Sequence, residues 1–281
     1  MLTVRHRLRV AAFFVTLVLP LQSAQAVGHD GPDLDAIRAA IERAWSSVQT
    51  LHFRSEELCW DSAGQFSLHK TIDYTLGVGD QRIFKEDSLQ VSRGSNSHRI
   101  QIEDGTTYYG IALKTQDPRS ISQVKIEDQE STRGNHPGFP GCAALWLWTP
   151  GGRPLHEYLH SGGRLEVVRT PDGSEQIILI AEGKFGQPIR CELDPEHDYL
   201  PRRINYADIE WQATAFRCDG GRWFPARGKM IDFRAGKDRL VAEINFVVTE
   251  LQINQPIAED IFDLPELPDD VLIKDERGRK P

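Results

Sequence analysis

Beyond its first two dozen residues the sequence contains no long apolar run, and none approaches the roughly 18 residues that a membrane-spanning helix needs. No cluster of Lys and Arg breaks an acidic composition, which argues against nucleic acid and anionic membrane surfaces as partners. No G-x-S-x-G elbow, phosphate-cradling loop or Rossmann glycine fingerprint occurs. There is no internal repeat and no low-complexity tract. Methionine is scarce: past the N-terminal segment only Met230 remains, which bears on one motif below.

The N-terminus has the grammar of an export signal. Arg5, Arg7 and Arg9 precede an apolar run from Val10 to Leu21, and Ala24-Gln25-Ala26 offers a small-residue cleavage site. Residues 1–26 are therefore expected to be removed, leaving 27–276 as one domain and 277–281 as a frayed tail. No cysteine follows the cleavage site, so the expectation is a soluble periplasmic protein without a lipid anchor. Loss of three arginines leaves 30 basic against 41 acidic residues, a net charge of −11. Cys59, Cys142, Cys191 and Cys218 would enter an oxidising compartment, where three pairings exist and sequence cannot choose. Cys191 with Cys218 is the favoured pair, since both lie in neighbouring strand-like segments, with free buried thiols as the alternative.

What is present is one amphipathic helix followed by strands. Asp33 is placed to cap a helix in which Leu34, Ile37, Ile41, Ala44, Trp45 and Val48 recur every three to four residues. From Leu51 the period changes to two. Phe66, Leu68, Ile72, Tyr74 and Leu76 form one clean alternation. Further strands are expected over 81–87, 97–103, 106–114, 120–127, 164–170, 174–182, 187–193, 202–217, 222–234 and 239–253. Asp104-Gly105, Pro171-Asp172-Gly173 and Asp219-Gly220-Gly221 supply hairpin turns between them. The fold class is thus α+β, mainly antiparallel β. Between the two halves, a Gly/Pro-rich stretch with the apolar burst 143–148 leads into a short helix from Pro154 to His160.

That short helix carries a chemical motif. His156, Glu157 and His160 form H-E-x-x-H, in which residues four apart share one helix face and could ligate one zinc ion. Glu157 would act as base, and Glu166 falls where a third ligand would stand. Three features oppose a peptidase: the helix is short, no methionine-bearing turn is available, and the surroundings are a strand meander. The plainer reading buries Leu155, Tyr158 and Leu159 and turns the histidines outward. Glu56-Glu57 is a second acidic candidate, read as a solvated strand edge rather than a glycosidase pair.

The second half resembles a known family. Leu193-Asp194-Pro195 with Tyr199-Leu200-Pro201, then Gly221-Arg222-Trp223-Phe224-Pro225 and Lys229–Phe233, recur in order in LolA-like proteins. Asn254-Gln255-Pro256-Ile257, Asp260-Ile261-Phe262 and the closing Leu267, Pro268 and Val271 complete the resemblance. These proteins are carriers and sensors of the lipoprotein-sorting superfamily. The resemblance implies an incomplete, curved β-barrel whose concave face is covered by the N-terminal and central helices. It also implies an apolar cavity for lipid acyl chains or lipoproteins, a delivery partner at the inner or outer membrane, and neither cofactor, metal nor enzymatic activity. No functional position of the family maps onto one residue here. The apolar strand positions nominate the lining instead: Phe66, Leu68, Ile72 and Tyr74 of one strand, Ile178 and Ile180 of another, and Phe246 and Val248 of a third. Leu155, Tyr158 and Leu159 are the expected lid contacts. A protein-binding module with a filled core is the alternative.

Overall fold

Asp33 begins the first helix as expected: its carboxylate accepts from the Asp35 and Ala36 backbone N–H groups at 3.0 and 3.3 Å. In the computed structural model, the described residues are 33–77, 83–92, 96–104, 106–114, 117–128, 155–183, 186–234 and 239–278. Helix α1 spans Leu34–Ser46 and buries Ile37, Ile41 and Ala44 on one stripe. Its end is tied to the sheet by Asn254, whose backbone takes a left-handed φ of 57°. The Asn254 side chain accepts from Gln49 N–H at 2.7 Å and donates to Ser47 carbonyl at 2.8 Å.

The strands follow in chain order: β1 (Thr50–Asp61), β2 (Phe66–Gly77), β3 (Ile83–Ser92), β4 (Asn96–Glu103), β5 (Thr107–Lys114) and β6 (Asp117–Asp128). Helix α2 (Leu155–His160) precedes β7 (Arg164–Arg169), β8 (Glu175–Glu182), β9 (Pro188–Asp194) and β10 (Leu200–Tyr206). Then come β11 (Ile209–Asp219), β12 (Arg222–Arg234), β13 (Arg239–Ile253) and β14 (Leu272–Asp275). All join one open, curved, 14-stranded sheet in the order β14-β6-β5-β4-β3-β2-β1-β13-β12-β11-β10-β9-β8-β7. Every pairing is antiparallel except β14 with β6. Sequential hairpins build each half, and the β1–β13 pairing joins them.

Two departures from the sequence reading have physical causes. The strand expected over 202–217 is a hairpin of β10 and β11, turned at Ala207 with φ 49°. No glycine marks that turn, so composition concealed it. The last strand was not anticipated because a four-residue strand is too short to show a period. Beyond it, Gly278 N–H donates to Asp128 at 2.6 Å and Arg277 holds Asp275, so the expected frayed tail is tied down through residue 278.

The two faces pack differently. The face bearing α1 and α2, here called the front, buries Leu51, Phe53, Ile72, Tyr74, Phe224 and Phe246 with the helices in one apolar cluster. On the back of β4–β6, Ile102, Ile111, Ile121 and Val124 meet Phe262, Leu264, Leu267 and Val271 of the chain's final crossing. The Pro-rich C-terminal stretch is thus a cover for the back of one half-sheet.

The Cys191–Cys218 pair does not form: both thiols are free. Cys191 lies on β9 and Cys218 on β11, with β10 between them. Second-neighbour strands stand about 9.5 Å apart, beyond the ~7 Å that a disulfide can bridge. Cys191 is fully buried, which pushes its thiol well above the ordinary range. In the native protein, Cys218 is expected to react with a water-soluble thiol reagent while Cys191 reacts only after unfolding. Mass spectrometry of labelled peptides checks this, and native labelling of Cys191 would contradict its burial.

Candidate functional site

The front-face apolar surface is built by alternation. Along β1, Leu51 and Phe53 point forward; along β2, Ile72, Tyr74 and Leu76 do; along β13, Phe246, Val248, Leu251 and Ile253 do. Phe53 stacks on Tyr74 with ring centroids 5.0 Å apart and leans on Phe224 at 5.3 Å. The surface continues across β8 and β9 through Ile177, Leu179, Ile189 and Leu193. Helices α1 and α2 roof it. Leu155, Tyr158 and Leu159 are all buried against it, at 0%, 2% and 4% exposure.

The nominated lining residues are only partly brought together. Ile72, Tyr74, Phe246 and Val248 share the buried front face, and Leu68 lies on the same face, half-buried towards the end of β2. Phe66 does not join them: a register shift after Cys59 sets it against Trp60 at the exposed hairpin tip, 40% exposed. Ile178 and Ile180 alternate with Leu179 and Ala181, so they occupy the back face, opposite Glu192 and Arg190. A strand that is apolar at every position does not reveal which set faces the helices.

The histidines of H-E-x-x-H do other work. The His156 ring packs 5.4 Å from the Trp45 ring of α1, and His160 Nε2 stands 3.3 Å from Glu42 Oε1. Burial holds His156 below the ordinary imidazole range; His160 adds to that shift, while Glu157 and Glu42 oppose it. Glu166 lies on β7 beside Arg164, at 2.8 Å. Among the described residues, no three His, Cys, Asp or Glu side chains converge as a metal site would require. Glu56 and Glu57 point to opposite faces, which is not the arrangement of an acid pair.

The sequence reading missed the other half of the front face. Cross-strand neighbours run from Leu251, Phe53 and Tyr74 to Glu86, Gln101 and, past Gly110, Lys125. The next row runs from Val248, Ser55 and Ile72 to Ser88 and Arg99. The surface therefore changes from apolar to polar between β2 and β3. Glu86, Ser88, Gln101 and Glu103 are nonetheless buried. Lys70 Nζ reaches Glu86 at 3.3 Å, and Lys125 Nζ is shared by Glu127 at 2.8 Å and Glu276 at 3.1 Å. Tyr108, between Glu103 and Glu127, is pushed well above the usual phenol range by burial and then by Glu86 and Glu127, with Arg99 opposing. The alternation of Arg99, Gln101 and Glu103 with Ile100 and Ile102 was visible in sequence. Its phase was not, because the isoleucines proved to face the back cluster.

A cavity of about 180 Å³ lies on the back, between Thr50, His52, Thr75 and Gln252 of three strands and the crossing from Gln255 to Ile261. Its walls are mixed: Pro256, Ile257, Ala258 and Ile261 line one side, and on the other His52 Nδ1 and Thr75 Oγ1 stand 3.0 Å apart. It falls below the ~300 Å³ at which ligand pockets usually begin.

No family model matches the sequence, and no curated protein matches it. Solved structures do match. A DUF1329 family protein from Desulfovibrio piger superposes with a TM-score of 0.50 at 14% identity, covering 82% of this chain and 97% of the other. A domain assigned to outer membrane lipoprotein sorting, from Vibrio parahaemolyticus, gives 0.50 at 10% identity over 82% and 97%. The fold is LolA-like. The LolA superfamily protein NE2245 from Nitrosomonas europaea gives a TM-score of 0.49 at 10% identity, covering 83% of this chain and 98% of its own. At these identities the likeness concerns the fold, and the LolA-like sheet here has its own front face, half apolar and half polar. No helix among the described residues is long and apolar enough to cross a membrane.

Proposed function

We propose that this chain is a periplasmic, non-enzymatic carrier or sensor that takes up acyl chains, free or attached to a lipoprotein, on the front face of its LolA-like sheet. It would pass its cargo to, or signal through, a partner at the inner or outer membrane. The observation carrying this reading is the roof: an extended apolar floor covered by two short helices, one of 13 and one of 6 residues. Helix α2 meets the floor through Leu155, Tyr158 and Leu159 alone among its buried residues. Apolar packing is non-directional, so an acyl chain can replace the Leu155 and Leu159 side chains without stranding a hydrogen-bonding group. Exposing three such side chains costs roughly 5–9 kcal/mol, whereas burying about 14 methylenes returns roughly 11 kcal/mol. Exchange of lid for lipid is downhill on that comparison. A segment with the pattern of an export signal and a fold shared with a lipoprotein-sorting domain point the same way.

Native mass spectrometry of the exported protein is expected to show co-purified lipid, and a fluorescent fatty acid is expected to bind with micromolar affinity. Finding neither would overturn the reading. The roof itself is tested by Glu42→Cys with His160→Cys, joined by a short bis-maleimide after Cys59, Cys142 and Cys218 are changed to serine. Cross-linking α1 to α2 is expected to slow uptake of the probe by at least about tenfold, a barrier increase of roughly 1.4 kcal/mol. Unchanged uptake would show that α2 is not a lid.

A further inference from the structure

The front of β1 changes character along its length. Leu51 and Phe53 are buried and apolar, Ser55 follows, and Glu57 and Cys59 come after it on the same face. Beside it β2 runs the same way: Leu76, Tyr74 and Ile72 oppose the first three, and Lys70 opposes Glu57. From Leu51 to Ser55 the apolar floor covers about 13 Å of strand. Ser55 stands at its end.

Ser55 is fully buried, with Ile72 and Val248 as its cross-strand neighbours. Its hydroxyl has no hydrogen-bond partner. A buried hydroxyl left unpaired is costly, and such atoms call for an explanation. The backbone beside it makes no use of it. The β1–β13 register shifts between Arg54 and Ser55, which leaves Thr249 as the extra residue of a bulge. The Arg54 carbonyl at that bulge accepts from Thr249 Oγ1 at 3.2 Å, so the threonine answers it and Ser55 does not. Lys70, diagonally ahead on β2, reaches Glu86 at 3.3 Å. The Ser55 hydroxyl is thus an unused donor set into an apolar floor.

We propose that Ser55 is the specificity residue of the front-face site: its Oγ–H donates to the ester carbonyl of an acylated glyceryl group whose chain lies over Phe53 and Leu51. This rests on the acyl-chain reading above and adds the class of ligand, an acyl ester in place of a free fatty acid. One neutral carbonyl oxygen is satisfied by one donor. An ionised carboxylate at the same place would be buried against a single hydroxyl, and burying a charge so poorly paired costs far more. The glyceryl side of the ester then runs on towards Glu57 and Lys70, where the face becomes polar.

The test uses two probes that differ at a single carbon. Monolauroylglycerol is an ester, and its ether analogue monododecylglycerol has a methylene where the ester has its carbonyl. Each is titrated calorimetrically, below its aggregation concentration, into the full exported chain. The ester is expected to bind about fivefold more tightly, the net worth of one hydrogen bond. Ser55→Ala should erase that preference by weakening the ester alone. It should leave the thermal midpoint unchanged or raised, since the free protein loses no bond. A diacylglyceryl-cysteine peptide and the matching diacylglycerol then identify the source of the ester, lipoprotein or glycerolipid, by which binds more tightly. Ser55→Ala must weaken that ligand too.

Equal affinity for ester and ether, or a preference that survives in Ser55→Ala, overturns the role of Ser55 while the carrier reading stands. A midpoint lowered by more than about 3 °C in Ser55→Ala would mean that the hydroxyl is bonded in the free protein, and overturns it as well. Binding of neither probe overturns both readings.

Discussion

Replacing Gly228 with alanine is expected to lower the thermal midpoint by roughly 6–12 °C, a large effect for one added methyl group. Gly228 lies on β12 facing forward, between Ala213 of β11 and Phe246 of β13. A Cβ there would stand 2.2 Å from the Gln212 carbonyl oxygen and 2.4 Å from Cζ of Phe246. Neither atom can give way cheaply. The carbonyl belongs to the backbone of a paired strand, and the Phe246 ring is 1% exposed within the core. Overpacking usually costs 1–3 kcal/mol, and a clash with both backbone and ring belongs at about 3 kcal/mol. Calorimetry or a circular dichroism melt reads the shift. A midpoint within about 2 °C of the parent would mean that Phe246 does not lie across the glycine. Phe246→Leu combined with Gly228→Ala should recover part of the loss, since two residues in contact are not additive.

The second large effect belongs to Phe53. It is fully buried at the centre of the front face, stacked on Tyr74 and tilted against Phe224. Phe53→Ala removes a ring that both halves of the sheet pack against, because β1 pairs with β2 on one side and β13 on the other. Truncation of a core phenylalanine costs roughly 3–5 kcal/mol, and loss of two aromatic contacts places this one near the upper end. Urea unfolding should show the midpoint falling with little change in slope. A loss below about 1 kcal/mol would show that the floor collapses onto the vacancy, which core packing this dense does not predict.

Local features of the fold were legible because their causes are local. Asp33 caps α1 with its own side chain, and the Asp104 and Asp172 turns close with their own carboxylates. The buried side of α2 was equally plain: in a helix ended by Ser161 to Gly163, Leu155, Tyr158 and Leu159 share the one apolar face. Where reading failed, the missing information was non-local. Ile178 and Ile180 were as apolar as Leu179, and only the pairing of β8 with β9 assigned them to the back. Cys191 and Cys218 were near in sequence terms, yet an intervening strand keeps them apart. Polar residues on β3–β6 showed alternation without a phase, and the C-terminal crossing supplied the phase by covering the isoleucines.

By itself, then, the sequence determined the helix, the hairpin order, the antiparallel character and the resemblance that named the fold. Those depend on residues within a few positions of one another, where capping, turn chemistry and side-chain period act directly. The tertiary structure alone decided which face each alternation serves, and so decided that the front face is apolar beside β1 and charged beside β4. A period of two divides a strand into two faces but is blind to what lies above either one.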